Sequence, residues 1–199
     1  MSMAQKLTTI AENQQKVYDA GKEQAVAQLP AGYLKIDPAW NSWYMLFNGR
    51  PSMGQFLKYE DSANVQTMTS AFQSWTGGSY VVPSLDMRKV TTMQNMFIYS
   101  SGIVEIGEMD ISGVTNANLA FNGCSALQRI SFVPGCIKVP ISFIASNLLD
   151  DASVQSVIDG LADMTDKSPQ TLTFHPTVGA KLTQQQKAQI QAKNWELIY

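Results

Sequence analysis

Histidine and cysteine are nearly missing from this chain of 199 residues, which holds one of the first, His175, and two of the second, Cys124 and Cys136. A single imidazole excludes His-rich zinc sites, and a Ser-His-Asp triad would have only His175 to form around. That residue sits in TLTFHPTVG, which reads as a strand running into a proline turn. Two cysteines are no disulfide framework, and both are expected as reduced thiols. Charge is scarce as well: 15% of residues are charged, against roughly 25% in ordinary soluble domains. Gln, Asn, Ser and Thr take its place, so the surface is polar rather than ionic. A net charge of -2 gives no basic footprint for nucleic acid. No apolar run approaches the roughly 18 residues of a membrane span. The opening MSMAQKLTTIAENQQ lacks the apolar stretch of a secretory signal, so neither membrane insertion nor signal-directed export is expected. Walker, GxGxxG, GxSxG and EF-hand spacings are absent. The expectation is a non-enzyme with no catalytic residues, no metal and no cofactor.

What the chain does have is an internal repeat. Leu85–Ile106 (LDMRKVTTMQNMFIYSSGIVEI) aligns with Met109–Ile130 (MDISGVTNANLAFNGCSALQRI) at an offset of 24 without a gap. Asp86/Asp110, Val90/Val114, Thr91/Thr115, Phe97/Phe121, Ser101/Ser125 and Ile106/Ile130 are identical pairs. An earlier copy, Val65–Phe72, matches Val90–Phe97, and a degraded one ends around Phe143 and Leu148. Apolar residues at fixed slots of a 20–29-residue period predict a leucine-rich solenoid. In each coil Thr91 or Thr115 would cap a short helical turn carrying Met93, Met96 and Phe97, or Ala117, Ala120 and Phe121, inward. A strand with Ile103 and Ile106 inward follows. Stacking places Phe97 over Phe121, Ile106 over Ile130, and Glu105 beside Arg129. The matched acids Asp86 and Asp110 could suggest a glycosidase pair, but turn chemistry explains them better, since Asp satisfies backbone donors in loops.

The flanks differ. Residues 1–30 are rich in helix formers, with Met3, Leu7, Ile10, Gln14 and Val17 at a/d spacing, a short polar-interrupted seam. Two readings stay open, a helix docked on its own domain or a small self-associating stalk. Residues 31–61 form an aromatic-rich N-terminal cap (Tyr33, Trp40, Trp43, Tyr44, Phe47, Phe56, Tyr59), residues 62–148 the repeats, and residues 149–199 a C-terminal αβ cap. In that cap Asp151 caps a helix bearing Val154, Val157, Ile158, Leu161 and Met164. The strand of Leu172 and Phe174 comes next, then a helix capped at Thr183 and a strand with Trp195, Leu197 and Tyr199 on one face. The fold class is therefore α/β, a short solenoid of about 24-residue coils between an N-terminal helix and an αβ cap.

The step Phe121, Cys124-Ser125, Leu127, Ile130 resembles the BspA-type bacterial leucine-rich repeat over roughly residues 62–148. The terminal stretches LTTIAENQQKVYDAGKEQ and SVIDGLADMTDKSPQTLTFHPTVGAKLTQQQKAQIQAKNWELIY are similar to phage and prophage structural proteins of Gram-positive gut bacteria. The resemblance implies a virion or tail-associated protein, assembled in the host cytoplasm, joined to other virion proteins through its N-terminal helix. It further implies a host-surface glycan or protein as ligand and a homo-oligomer, with a trimer favoured. The alternatives are a bacterial cell-surface adhesin and a generic protein-interaction module. Trp75, Tyr80 and Tyr99, aromatics in variable loops, are the candidate ligand contacts.

Overall fold

The computed structural model describes residue 37, residues 39–51 and residues 57–199. The seam of Met3, Leu7, Ile10, Gln14 and Val17 lies outside them, as do Tyr33 and Phe56. The fold is mixed α/β with two three-stranded parallel sheets. One is β1 (Tyr80–Val82), β2 (Ile103–Met109) and β3 (Arg129–Phe132), paired in that order. The other is β4 (Ile141–Phe143), β5 (Gln170–Phe174) and β6 (Trp195–Ile198). Three helices follow β4 in the chain: α1 (Asp151–Gly160), α2 (Pro176–Gly179) and α3 (Gln184–Ala192).

Successive coils lie side by side. Ser42, Thr67, Thr92 and Asn116 bridge in parallel from one coil to the next. Through the centre runs a column of rings: Phe47, Phe72, Phe97, Phe121, Phe143 and Phe174. Successive centroids are 5.2, 5.4, 5.5, 4.8 and 6.1 Å apart, with interplanar angles of 19–25°. Every one of these rings is buried. No coil could bury its own apolar face, so the core exists only between coils.

The segments expected as short helical turns are not helical. In the first coil Leu46, Asn48 and Arg50 donate back three residues, to the carbonyls of Trp43, Met45 and Phe47. The alternate donors, Trp43, Met45, Phe47 and Gly49, reach across to the carbonyls of Thr67, Thr69, Ala71 and Gln73 in the next coil. Met45, Ser70, Asn95 and Leu119 take positive φ to make this possible. A helix would spend every N–H within its own coil, whereas this turn ribbon uses half of them to join the stack. Thr91 and Thr115 accordingly cap nothing. Their hydroxyls donate to the carbonyls of Gln66 and Thr91 in the preceding coil, each at 3.1 Å. The inward slots are as expected: Met93, Met96, Phe97, Ala117, Ala120 and Phe121 are all buried.

On the opposite side β2 pairs with β3 in the expected register, Glu105 with Arg129 and Ile106 with Ile130. The Glu105–Arg129 ion pair closes at 2.6 Å. Both partners are exposed, so it is worth well under about 1 kcal/mol and serves mainly to mark the register.

The domain boundaries need correction at both ends. The boundary at 61/62 falls inside the stack, because Ser42–Arg50 is itself a coil. Trp43, Leu46 and Phe47 occupy the slots of Met68, Ala71 and Phe72, so these aromatics form a rung rather than a plug. The boundary at 148/149 also falls inside continuous pairing, since β4 pairs with β5 through Ile141–Leu172 and Phe143–Phe174. Leu148 is exposed and its neighbour Leu149 is buried, which moves the inward slot by one residue. The helix cap moves by one as well: Asp150, not Asp151, accepts from the Ser153 N–H, at 2.8 Å. Val154, Val157 and Ile158 are buried on α1, while Leu161 and Met164 are buried beyond its end. Thr183 caps α3 in a capping box with Gln186. Of the last strand's three residues, Trp195 is buried, Leu197 is half-buried and Tyr199 is exposed beyond β6.

Candidate functional site

The three candidate aromatics part company in the fold. Trp75 is fully buried and unavailable to a ligand. Its indole N–H donates to the carbonyl of Phe47 at 2.7 Å, and its ring meets Phe72 edge-on at 5.3 Å. The reason is its slot. Three residues after the stacked phenylalanine, successive coils place Trp75, Ser100, Cys124 and Ser146. Each of the first three donates to the carbonyl of the preceding coil's phenylalanine: Trp75 to Phe47, Ser100 to Phe72 and Cys124 to Phe97. Ser146 donates instead to Cys124. The spacing Phe72-x-x-Trp75 against Phe97-x-x-Ser100 was the sequence signal for this role.

Tyr80 is half-buried on β1. Its ring packs edge-on against Trp75 at 5.8 Å and its hydroxyl donates to the Thr76 carbonyl at 3.3 Å. Gly78 lets the ring lie this close, since a Cβ there would come within 2.5 Å of it. Tyr80 is therefore chiefly a packing residue at the rim of the stack.

Tyr99 is different. It is 60% exposed and adopts φ 59°. Its slot holds Gly49, Ser74 and Gly123 in the other coils, all with positive φ. A left-handed conformation costs a bulky L-residue roughly 1–2 kcal/mol that glycine avoids. An aromatic held there, outside the core, gains no burial in return.

The remaining reactive groups serve the fold. Asp86 is buried and accepts from Arg88 at 2.9 Å (Nε) and 2.7 Å (Nη2), a bond that holds its carboxyl below the usual range. It also accepts the Arg88 backbone N–H at 3.2 Å, as Asp110 accepts that of Ser112 at 3.0 Å. Both acids close turns, which matches the expectation of turn chemistry. His175 caps α2, its Nδ1 accepting from the Thr177 N–H at 3.2 Å. Cys124 and Cys136 are free, buried thiols. Desolvation pushes Cys124 up to about 12 and raises Cys136. Among the described residues no group of three or more His, Cys, Asp or Glu is placed to hold a metal, and no helix is long and apolar enough to cross a membrane.

Comparison with known proteins returns no matching family model, no matching curated protein and no matching solved structure.

Proposed function

We propose that this chain is a non-enzymatic binding scaffold, a short leucine-rich-repeat solenoid that presents the Tyr99 edge of its stack to a partner. The observation that carries the reading is the exposed Tyr99, held in a left-handed conformation where neighbouring coils use glycine or serine. The BspA-type resemblance of residues 62–148 and the phage-like flanks extend it to a virion or tail-associated protein. In that reading residues 1–30 attach to other virion proteins or form a trimer, and the Tyr99 edge meets a host-surface glycan or protein. Asp86, Asp110, Cys124, Cys136 and His175 are engaged in turns, core or a helix cap, which supports binding over catalysis.

The first test is mass in solution by light scattering, on the full chain and on a chain shortened by residues 1–30. A trimer that becomes a monomer on shortening supports the stalk and the appendage reading. A monomer in both cases transfers the weight to a plain protein-interaction module. The second test is Tyr99→Gly, which removes the ring and relieves the backbone. Binding to host-cell surfaces should fall while stability holds or rises by up to about 1 kcal/mol. Unchanged binding would move the contact surface elsewhere.

A further inference from the structure

The turn ribbons of the first four coils are joined by four columns of hydrogen bonds that run in one direction, beside a fifth at their edge that runs the other way, Gln66 to Asn41, Thr91 to Gln66 and Thr115 to Thr91. Trp43 N–H bonds the carbonyl of Thr67, the next peptide N–H, Met68, bonds Thr92, and Met93 bonds Asn116. Three further columns run alongside: Met45 to Thr69, Ser70 to Gln94, Asn95 to Asn118; Phe47 to Ala71, Phe72 to Met96, Phe97 to Ala120; Gly49 to Gln73, Ser74 to Ile98, Tyr99 to Asn122. Every bond is 2.8–3.1 Å. Within a column each peptide group turns its C=O toward the preceding coil and its N–H toward the following one. The dipoles therefore align head to tail, as they do along a helix, where they amount to roughly half a unit charge at the N–H end.

All four columns stop at the same place. The next donors in line, the N–H groups of Ala117, Leu119, Phe121 and Gly123, find no acceptor among the described residues. The cause is a change of backbone shape. The following coil passes this level as the strand β4, which pairs with β5 instead of continuing the ribbon. At the phenylalanines the two coils stay packed, with the Phe121 and Phe143 rings stacked at 4.8 Å between centroids. Toward Thr115 they separate into a groove of about 300 Å³. Ala117 and Leu119 form one wall, and Val139, Pro140, Ser142 and Thr173 belong to the other. No charged side chain lines it.

We propose that this groove is a binding site for a compact oxyanion, a carboxylate or phosphate group, held by the Ala117 and Leu119 N–H donors at the positive end of the peptide columns, with the Ser142 and Thr173 hydroxyls as further donors. Backbone N–H groups at the end of aligned dipoles favour negative charge. Serine and threonine add neutral donors, and no acidic side chain competes for the place. The inference is independent of the Tyr99 surface, which lies elsewhere on the stack, and either can fail alone.

The test is a nuclear magnetic resonance titration of the full ¹⁵N-labelled chain with sodium phosphate, with sodium acetate, and with acetamide as an uncharged acceptor, at constant ionic strength and pH. The Ala117 and Leu119 amides should shift with phosphate, acetate or both, while Met93 and Asn95, the same slots one coil earlier, stay in place. Whichever anion binds tighter assigns the group as phosphate or carboxylate. Pro140→Glu, an exposed change on the opposite wall, should weaken anion binding about tenfold or more. Thr173→Glu gives the same readout from β5, and unshifted Met93 and Asn95 signals report an intact ladder in either variant. The proposal is overturned by Ala117 and Leu119 amides that ignore both anions, by acetamide acting as strongly as acetate, or by slow hydrogen exchange of these two amides in the free protein.

Discussion

Replacing Ser100 by alanine tests whether side-chain hydrogen bonds at the turns hold the stack as well as its apolar rungs. In four coils the N–H three residues beyond the stacked phenylalanine closes on the carbonyl of that phenylalanine: Arg50 on Phe47, Ser100 on Phe97, Cys124 on Phe121, Ser146 on Phe143. In the coil of Phe72 this turn is open. The Trp75 N–H donates to Ser100 Oγ at 3.1 Å, and the same hydroxyl donates to the Phe72 carbonyl at 2.7 Å. Ser100 is fully buried, so water does not take over when the oxygen is removed. Alanine leaves one buried donor and one buried acceptor without partners, at about 1–3 kcal/mol each, for a loss of about 2–6 kcal/mol. The space vacated by one oxygen adds little. With a urea dependence of about 2 kcal/mol per molar, the midpoint should drop by about 1–3 M. Cysteine is the informative second variant, because the next coil uses Cys124 in this slot, its Sγ 3.3 Å from the Phe97 carbonyl. A thiol donates and accepts more weakly than a hydroxyl, so Ser100→Cys should lose about half as much. Urea unfolding followed by tryptophan fluorescence and far-ultraviolet circular dichroism measures both. An alanine variant within about 0.5 kcal/mol of the parent, the range of an inconsequential surface change, refutes the bridging role. So does a cysteine variant as damaged as the alanine one.

Two other outcomes follow from the buried groups. Cys124 and Cys136 should resist a thiol-specific reagent at pH 8 in the folded protein and react together once urea unfolds it, because burial raises both and carries Cys124 to about 12. Rapid labelling of Cys124 in native buffer would show that its coil opens on its own. Asp86 should give the stability a dependence on acid. Its folded pKa lies below the ordinary carboxylate value, so its contribution is fully present above that value and is lost as pH falls through the folded pKa. Asp86→Asn should cost about 1–3 kcal/mol at pH 7, and the gap to the parent should narrow as pH drops below the ordinary carboxylate range. A gap that stays constant down to pH 2 would assign the effect to the lost turn rather than to the charge.

Much of the coil was legible in the sequence because stacking forces equivalent slots to share character. Phe97 over Phe121, Ile106 over Ile130 and Glu105 beside Arg129 all follow from an offset of 24. The ribbon was not legible, since its defining feature is backbone direction. Met45, Asn95 and Leu119 share a left-handed conformation and no side-chain chemistry. Thr91 before a run of helix-compatible residues therefore reads as an N-cap, although its hydroxyl bonds the preceding coil. The first rung escaped notice because Trp43 and Leu46 are bulkier than Met68 and Ala71, which hides the shared spacing to Phe47 and Phe72. Trp75 misleads for a related reason: a large aromatic beside Gly77 and Gly78 suggests an exposed loop anchor, while its slot demands a buried donor.

The two faces of the stack end differently, and the contrast bears on where binding can occur. On the strand face the edge of β3 is closed by side chains of α1. Ser153 and Ser156 accept the N–H groups of Ile130 and Phe132 at 3.0 and 2.9 Å. The end of α1 is closed in turn by Lys193, whose Nζ donates to the carbonyls of Ile158, Asp159 and Leu161 at 2.7–3.1 Å, a favourable place for a cation. The two serines thus satisfy an edge that would otherwise invite another strand. The ribbon face had the same need, and its last N–H groups, at Ala117, Leu119, Phe121 and Gly123, find no acceptor among the described residues. Its donors at Ala117 and Leu119 face a strand of unmatched shape, with Pro140 on the opposite wall. A fold that caps one edge with two dedicated side chains and leaves the neighbouring one open has room for a ligand at the second and not at the first. If that reasoning holds, Ser153→Ala and Ser156→Ala should destabilise the chain, by about 1 kcal/mol or more each. Substitutions at Pro140, by contrast, should leave stability within about 0.5 kcal/mol of the parent.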